Sequence, residues 1–130
     1  MSAKTIKITG WVLTGILALL LAMSAFVKIS LGDTGLEMAE SLGVTPATLR
    51  LIGVVELLSV VLFVIPRTGI VGALLLMAYM GGAIAVHVLR QEPLLLVVLL
   101  ETLIWVAVAL RYPEVHRVLF GRATAVRIAE

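Results

Sequence analysis

Residues 8–29 read ITGWVLTGILALLLAMSAFVKI, a run whose one ionisable side chain, Lys28, stands near its far end. About 20 consecutive apolar residues make a helix long enough to cross the hydrocarbon core of a bilayer. The run is longer than the apolar centre of a secretory leader, although Ala22 to Ala25 offers small residues of the kind a signal peptidase accepts. It is expected to be a retained span, with Lys4 and Lys7 ahead of it.

The rest of the chain repeats this pattern. Further apolar stretches cover about 46–65, 70–89 and 94–110, and with 8–29 they use most of the 130 residues. The chain is 62% hydrophobic and 14% charged, more apolar surface than a soluble domain of this size can cover. The expected fold is an all-α integral membrane four-helix bundle, one membrane domain over 1–130. Pro66-Arg67-Thr68-Gly69 and Arg90-Gln91-Glu92-Pro93 are turns short enough to set their flanking spans antiparallel, which gives up-down-up-down topology.

Between the first two spans, Thr34-Gly35-Leu36-Glu37 matches a capping box that opens a short surface helix over about 35–42, closed by Gly43. Thr45-Pro46 then reads as an N-cap with proline at the first helical position. Past Arg111, Pro113 stops the last span, and Glu114 to Gly121 suits a brief interfacial helix with Val115, Val118 and Leu119 on one side.

Cysteine is absent, which excludes disulfides, thiolate metal sites and CxxC redox chemistry. No P-loop, dinucleotide fingerprint, nucleophile motif or zinc spacing occurs, so no metal is expected and catalysis is left undecided. A net charge of +2 gives no reason to expect nucleic acid. The basic residues are instead sorted by membrane side: Lys4, Lys7, Arg67, Arg111, Arg117, Arg122 and Arg127 fall together, against Lys28, Arg50 and Arg90 opposite. That bias places both termini in the cytoplasm.

Ionisable groups inside spans are costly, roughly 3 kcal/mol each at mid-helix on insertion scales, so each needs a partner or a purpose. Lys28, Glu56, His87 and Glu101 come from four different spans. Glu56 and Glu101 lie about 10–15 Å below the outer ends at 1.5 Å per residue, with Lys28 and His87 within about a turn of the surface. All four fall in the outer half, where a bundle has one interior to share. Residues three or four apart share a helix face, and Gly10, Thr14, Leu17, Leu21, Ser24 and Lys28 make one such stripe. Gly53, Glu56, Ser59 and Phe63 make another; Tyr79, Ala83 and His87 align, as do Glu101 and Trp105. The expectation is a bundle apolar toward the cytoplasm, with a polar pocket opening outward. The plainer alternative is an ion pair that only holds the helices together. Gly72, Ala78, Gly81, Gly82, Ala83 and Ala85 permit close helix approach, read as packing within the chain, with a homodimer face or a ligand wall as alternatives.

Several of these segments together resemble the DoxX-like family of small four-span bacterial membrane proteins. They are Phe26-Val27-Lys28, Arg50-Leu51-Ile52-Gly53-Val54-Val55-Glu56, Pro66-Arg67-Thr68-Gly69, Gly81-Gly82-Ala83-Ile84-Ala85-Val86-His87 and Leu110-Arg111-Tyr112-Pro113. The family takes its name from a membrane subunit associated with a thiosulfate:quinone oxidoreductase. The resemblance implies a shared polar site at Lys28, Glu56 and His87, with Arg50 nearby; Glu101 rests on its depth alone. The function expected is binding of a small lipophilic ligand, a quinone or a lipid, by Lys28, Arg50, Glu56, His87 and Glu101, in an accessory subunit of a membrane redox system. The partners are the bilayer and a second copy or a redox protein. The alternatives are a small proton-coupled transporter and a structural or assembly subunit.

Overall fold

The structure, a computed structural model, describes residues 1–121; Arg122 and Arg127 of the charge pattern lie outside the described residues. Four long helices follow the four apolar runs: α1 (Ala3–Ser30), α3 (Pro46–Val64), α4 (Gly69–Leu89) and α5 (Leu95–Arg111). Two short ones flank them, α2 (Asp33–Leu42) and α6 (Pro113–Phe120). Among the described residues there is no strand. The fold is an all-α membrane helical bundle. α1, α3 and α4 are each long and apolar enough to cross a bilayer, and α5 makes a fourth span when taken with α6, which bends away from it by 108°.

In cross-section the helices form a square, α1 beside α3, α3 beside α4, α4 beside α5 and α5 beside α1, and among the described residues the backbones do not approach closely along either diagonal. One end of the square carries α2; the other carries the N-terminus and α6. Of the α1 stripe, Gly10, Thr14, Leu17, Leu21 and Lys28 are buried; Ser24 is only half-buried, and its neighbour Ala25 takes the core position. In α3, Leu49, Gly53, Glu56, Ser59, Val60 and Phe63 are buried. The exterior is apolar: Leu19, Met23, Phe26, Leu58 and Leu96 are all at least half exposed. Apolar outside with polar groups buried within is the distribution expected when lipid is the solvent.

Local chemistry sets the helix ends. Ser2 caps α1 by accepting from the Thr5 amide at 3.2 Å, and Thr45 caps α3 by accepting from the Thr48 amide at 3.2 Å, with Pro46 in the first turn. Gly43 closes α2 at φ +68°, the left-handed value that glycine adopts without a Cβ penalty. The capping box expected at Thr34 does not form. The Leu36 amide already donates to the Gly32 carbonyl at 2.9 Å, so α2 begins at Asp33 with no side-chain cap. That early start seats Gly35 against the Val27 carbonyl of α1, where a Cβ would come within 2.7 Å.

The small residues of α4 divide into two groups. Gly72 is where α3 and α4 meet: a Cβ there would lie 2.0 Å from the Phe63 amide nitrogen, a backbone atom that cannot yield. Gly81 and Gly82 are exposed, and a Cβ on either meets nothing within 4 Å. Packing within the chain therefore accounts for Gly72 and not for Gly81 or Gly82. Gly72→Ala is expected to lower stability by about 1–3 kcal/mol as the hairpin is forced apart, whereas Gly82→Ala changes it by less than about 0.5 kcal/mol. Unfolding of both variants in bicelles checks this; equal losses would contradict the assignment.

Candidate functional site

At the α2 end, α1 and α3 approach over Gly53, whose missing Cβ leaves room for the Lys28 Cβ (2.8 Å from where it would lie) and the Ala25 carbonyl (3.0 Å). One turn further along α3, the Glu56 carboxylate accepts from Lys28 Nζ at 2.8 Å. Lys28 Nζ also donates to Ser24 Oγ at 2.5 Å and to the Ser24 carbonyl at 3.5 Å. The Tyr79 ring of α4 lies 5.9 Å from the ammonium, and its phenol is beside Glu56. The Lys28 and Glu56 side chains are 11% and 1% exposed, so the pair is closed off from its surroundings.

Helix direction explains why Lys28 turns inward and does not run out to the membrane surface. The Cα–Cβ bond of a helical residue tilts toward the helix N-terminus. α1 runs toward the α2 end, so Lys28 leans back into the bundle; α3 runs away from that end, so Glu56 leans toward Lys28. The antiparallel pair aims the two charges at each other. A buried ion pair gains Coulomb energy of the same order as its desolvation cost, so it adds little net stability, yet losing one partner is expensive.

The other residues expected at this site do not join it. Arg50 donates from Nε to the Ile29 carbonyl at 3.2 Å, capping the C-terminal end of α1. His87 shares a hydrogen bond with the Ala83 carbonyl through Nδ1 at 2.8 Å and places Nε2 3.8 Å from Glu92 in the α4–α5 turn. Arg90 donates to the same Glu92 at 2.9 Å and to Ser41 of α2 at 3.2 Å. Glu101 is half-buried and makes no ion pair or side-chain hydrogen bond among the described residues. Lys28 and His87 stand on diagonal helices, and the α4 side chain that reaches the ammonium is Tyr79, while His87 turns to the Ala83 carbonyl and Glu92.

A second charge centre, missed in the sequence, occupies the opposite end. Arg111 is 4% exposed. Its Nη1 donates to the Phe63 carbonyl at 2.8 Å and to Thr14 Oγ1 at 3.2 Å, and its Nη2 to the Tyr112 hydroxyl at 3.1 Å. The guanidinium stacks 4.0 Å from the Trp11 ring centroid, and Phe63 and Tyr112 stand at 5.3 and 5.1 Å. The Tyr112 hydroxyl in turn donates to the Pro66 carbonyl at 2.8 Å. No carboxylate neutralises this cation among the described residues. The C-terminal carbonyls of α3 do so in part, since the last turn of a helix carries partial negative charge. Gly10 and Gly69 open the socket: a Cβ on Gly69 would lie 2.0 Å from the Tyr112 hydroxyl, and one on Gly10 would lie 3.1 Å from Arg111 Cγ.

The bundle expected to be apolar toward the termini is therefore charged at both ends. The signal was present, because Arg111 continues the inward stripe of Val97, Ile104 and Val108. By sequence, Arg111 counts toward membrane side and belongs to the Leu110-Arg111-Tyr112-Pro113 segment, and neither reading turns it inward.

Two grooves mark the exterior. One, of about 480 Å³, lies along α1 at Ala22, Met23, Ser24, Phe26 and Val27, and so reaches the Lys28 network through Ser24. The other, of about 360 Å³, lies between α4, α5 and α6 around Leu74, Trp105 and Val118. Among the described residues no group of three or more His, Asp or Glu is placed to hold a metal ion.

Compared with known proteins, the chain matches the sequence model of the DoxX-like family over residues 12–110. That range runs from α1 to the last turn of α5 and takes in Lys28, Arg50, Glu56, His87 and Glu101. No curated protein and no solved structure matches the chain.

Proposed function

The chain belongs to the DoxX-like family, and from that premise we propose that it is an accessory subunit of a membrane redox complex, a small helical scaffold that acts through its exterior. The supporting observation is the closure of the Lys28–Glu56 pair: the ammonium meets a carboxylate and a serine at 2.8 and 2.5 Å, and both side chains are buried. The ion pair ties α1 to α3, as Arg111 ties α5 to α1 and α3 at the other end. The reading places the chain in a bacterial inner membrane with both termini cytoplasmic, the orientation favoured by the distribution of Lys and Arg.

One observation favours a second reading. The groove along α1 touches the Lys28 network at Ser24, so a quinone or lipid lying there would be sensed by the ion pair. Ser24 would then be its polar contact, with the Lys28–Glu56 pair one hydrogen bond behind it; Arg50, His87 and Glu101 stand apart from it.

The double variant Lys28→Met/Glu56→Leu separates the readings, since it removes both charges while keeping an apolar core of similar volume. Under the scaffold reading, native gels of membranes show the chain in a complex far above its own 13.9 kDa, and the double variant keeps that complex. Under the ligand reading, native mass spectrometry finds a quinone or lipid on the wild type that the double variant has lost. A wild-type chain that migrates alone overturns the scaffold reading.

A further inference from the structure

Glu101 is the acidic side chain of a span that the fold leaves without a partner among the described residues. It stands seven residues below Leu94, about 10 Å inside the bundle at 1.5 Å per residue. It is half-buried, one turn from Trp105 and on the same side of α5. Trp105 faces α4 from the exterior, where it lines a groove with Ile70, Leu74 and Met77. Glu101 therefore lies toward the α4–α5 seam. On antiparallel α4 the same depth falls about seven residues before Leu89, at Gly81 and Gly82. Successive helical residues point about 100° apart, and it is Gly81 that continues the Leu74 and Met77 face toward the seam. Gly81 is exposed, with open space before it.

The basic side chains at this end of the chain each have a partner within the fold. Lys28 is held by Glu56 and Ser24, Arg50 by the Ile29 carbonyl, Arg90 by Glu92 and Ser41, and His87 by the Ala83 carbonyl and Glu92. A second copy of the chain brings the same committed set and offers Glu101 only another carboxylate. Charge complementarity calls for a donor from a different protein, because an ionisable group at this depth is retained at a cost and is ordinarily paired.

We propose that Glu101 and the adjoining Gly81 of α4 form the docking face for a transmembrane helix of a different protein, one carrying a Lys or Arg about 10 Å inside the membrane from the α2 end. Small residues let two helices approach closely, and a polar pair fixes their register. This rests on the scaffold reading above and names the face and the partner's chemistry.

The test uses the full chain in its native membranes. Gly81→Cys carrying a thiol-anchored photoreactive cross-linker is expected to capture a different protein whose span bears a basic residue at matching depth. Glu101→Ala and Gly81→Leu are each expected to reduce the native-gel complex at least tenfold, and Glu101→Lys to abolish it. The unfolding of Glu101→Ala and Gly81→Leu in bicelles should stay near wild type, because Glu101 has no side-chain partner to lose among the described residues and Gly81 has open space before it. A complex unchanged by Glu101→Ala and Gly81→Leu overturns the docking face while leaving the scaffold reading intact. A Gly81→Cys cross-link between two copies, or to a span with no basic residue at that depth, also overturns it. A wild-type chain that forms no complex overturns both proposals.

Discussion

Replacing Lys28 with methionine is expected to lower the stability of the bundle by about 3–5 kcal/mol, the usual cost of stripping one partner from a buried ion pair. Methionine keeps most of the apolar stem, so the loss comes from charge and not from packing. Glu56, 1% exposed and about 15 Å from the start of α3 at 1.5 Å per residue, has no route to water once its cation is gone. Glu56→Leu alone is expected to cost less. Lys28 lies two residues from the end of α1, and a lysine there can swing outward to the surface when its carboxylate is removed. The double variant Lys28→Met/Glu56→Leu is expected to recover most of the wild-type stability. Reversible unfolding of the four proteins in bicelles closes the cycle. Single losses that simply add in the double variant would show that the pair carries no coupling, and the helix-direction account of Lys28 would fall with it.

At the other end, Arg111→Lys is expected to destabilise the bundle by about 2–4 kcal/mol, because hydrogen bonds to charged groups contribute about 1.5–3 kcal/mol each and one ammonium cannot replace the planar fork. The acceptors stand on three segments: Thr14 on α1, the Phe63 carbonyl on α3, and Tyr112 past the end of α5. Lysine keeps the charge and loses the geometry. Trp11 reports the change directly, since the guanidinium lies 4.0 Å from its ring. In a Trp105→Phe background, the Trp11 emission is expected to shift with Arg111→Lys and to shift further with Arg111→Leu. Emission and stability both unchanged in Arg111→Lys would mean that charge alone, and not the fork, holds this end.

Helical periodicity carried much of the interior. The stripes of α1 and α3 were legible because a residue either lies on a 3.6-residue face or does not, and both helices bury most of the positions that share it. Depth carried less. Lys28, Glu56, His87 and Glu101 were ranked correctly toward one end, yet depth leaves rotation about the helix axis and the order of neighbours open. His87 found Glu92 in its own turn, and Glu101 found no partner among the described residues. The small residues of α4 were equally ambiguous. Gly72 and Gly82 are alike in sequence, and only the position of α3 separates a site where an added Cβ would strike the Phe63 backbone from one that faces open space.

By itself, the sequence determined that this chain is a membrane bundle of helices with short antiparallel turns, since the length of an apolar run and the chemistry of a turn are local quantities that lipid and backbone read directly. It also determined which residues of α1 and α3 face inward. Only the tertiary structure decided that α1 neighbours α3 and α5 but not α4, that Lys28 pairs with Glu56 and not with Glu101, and that Arg111 folds back into a socket lined by Gly10 and Gly69. The physical reason is that a pair of buried charges is a property of two helices. Its direction comes from the tilt of each Cβ and its closeness from glycines on the partner helix, and neither can be read along one strip of chain.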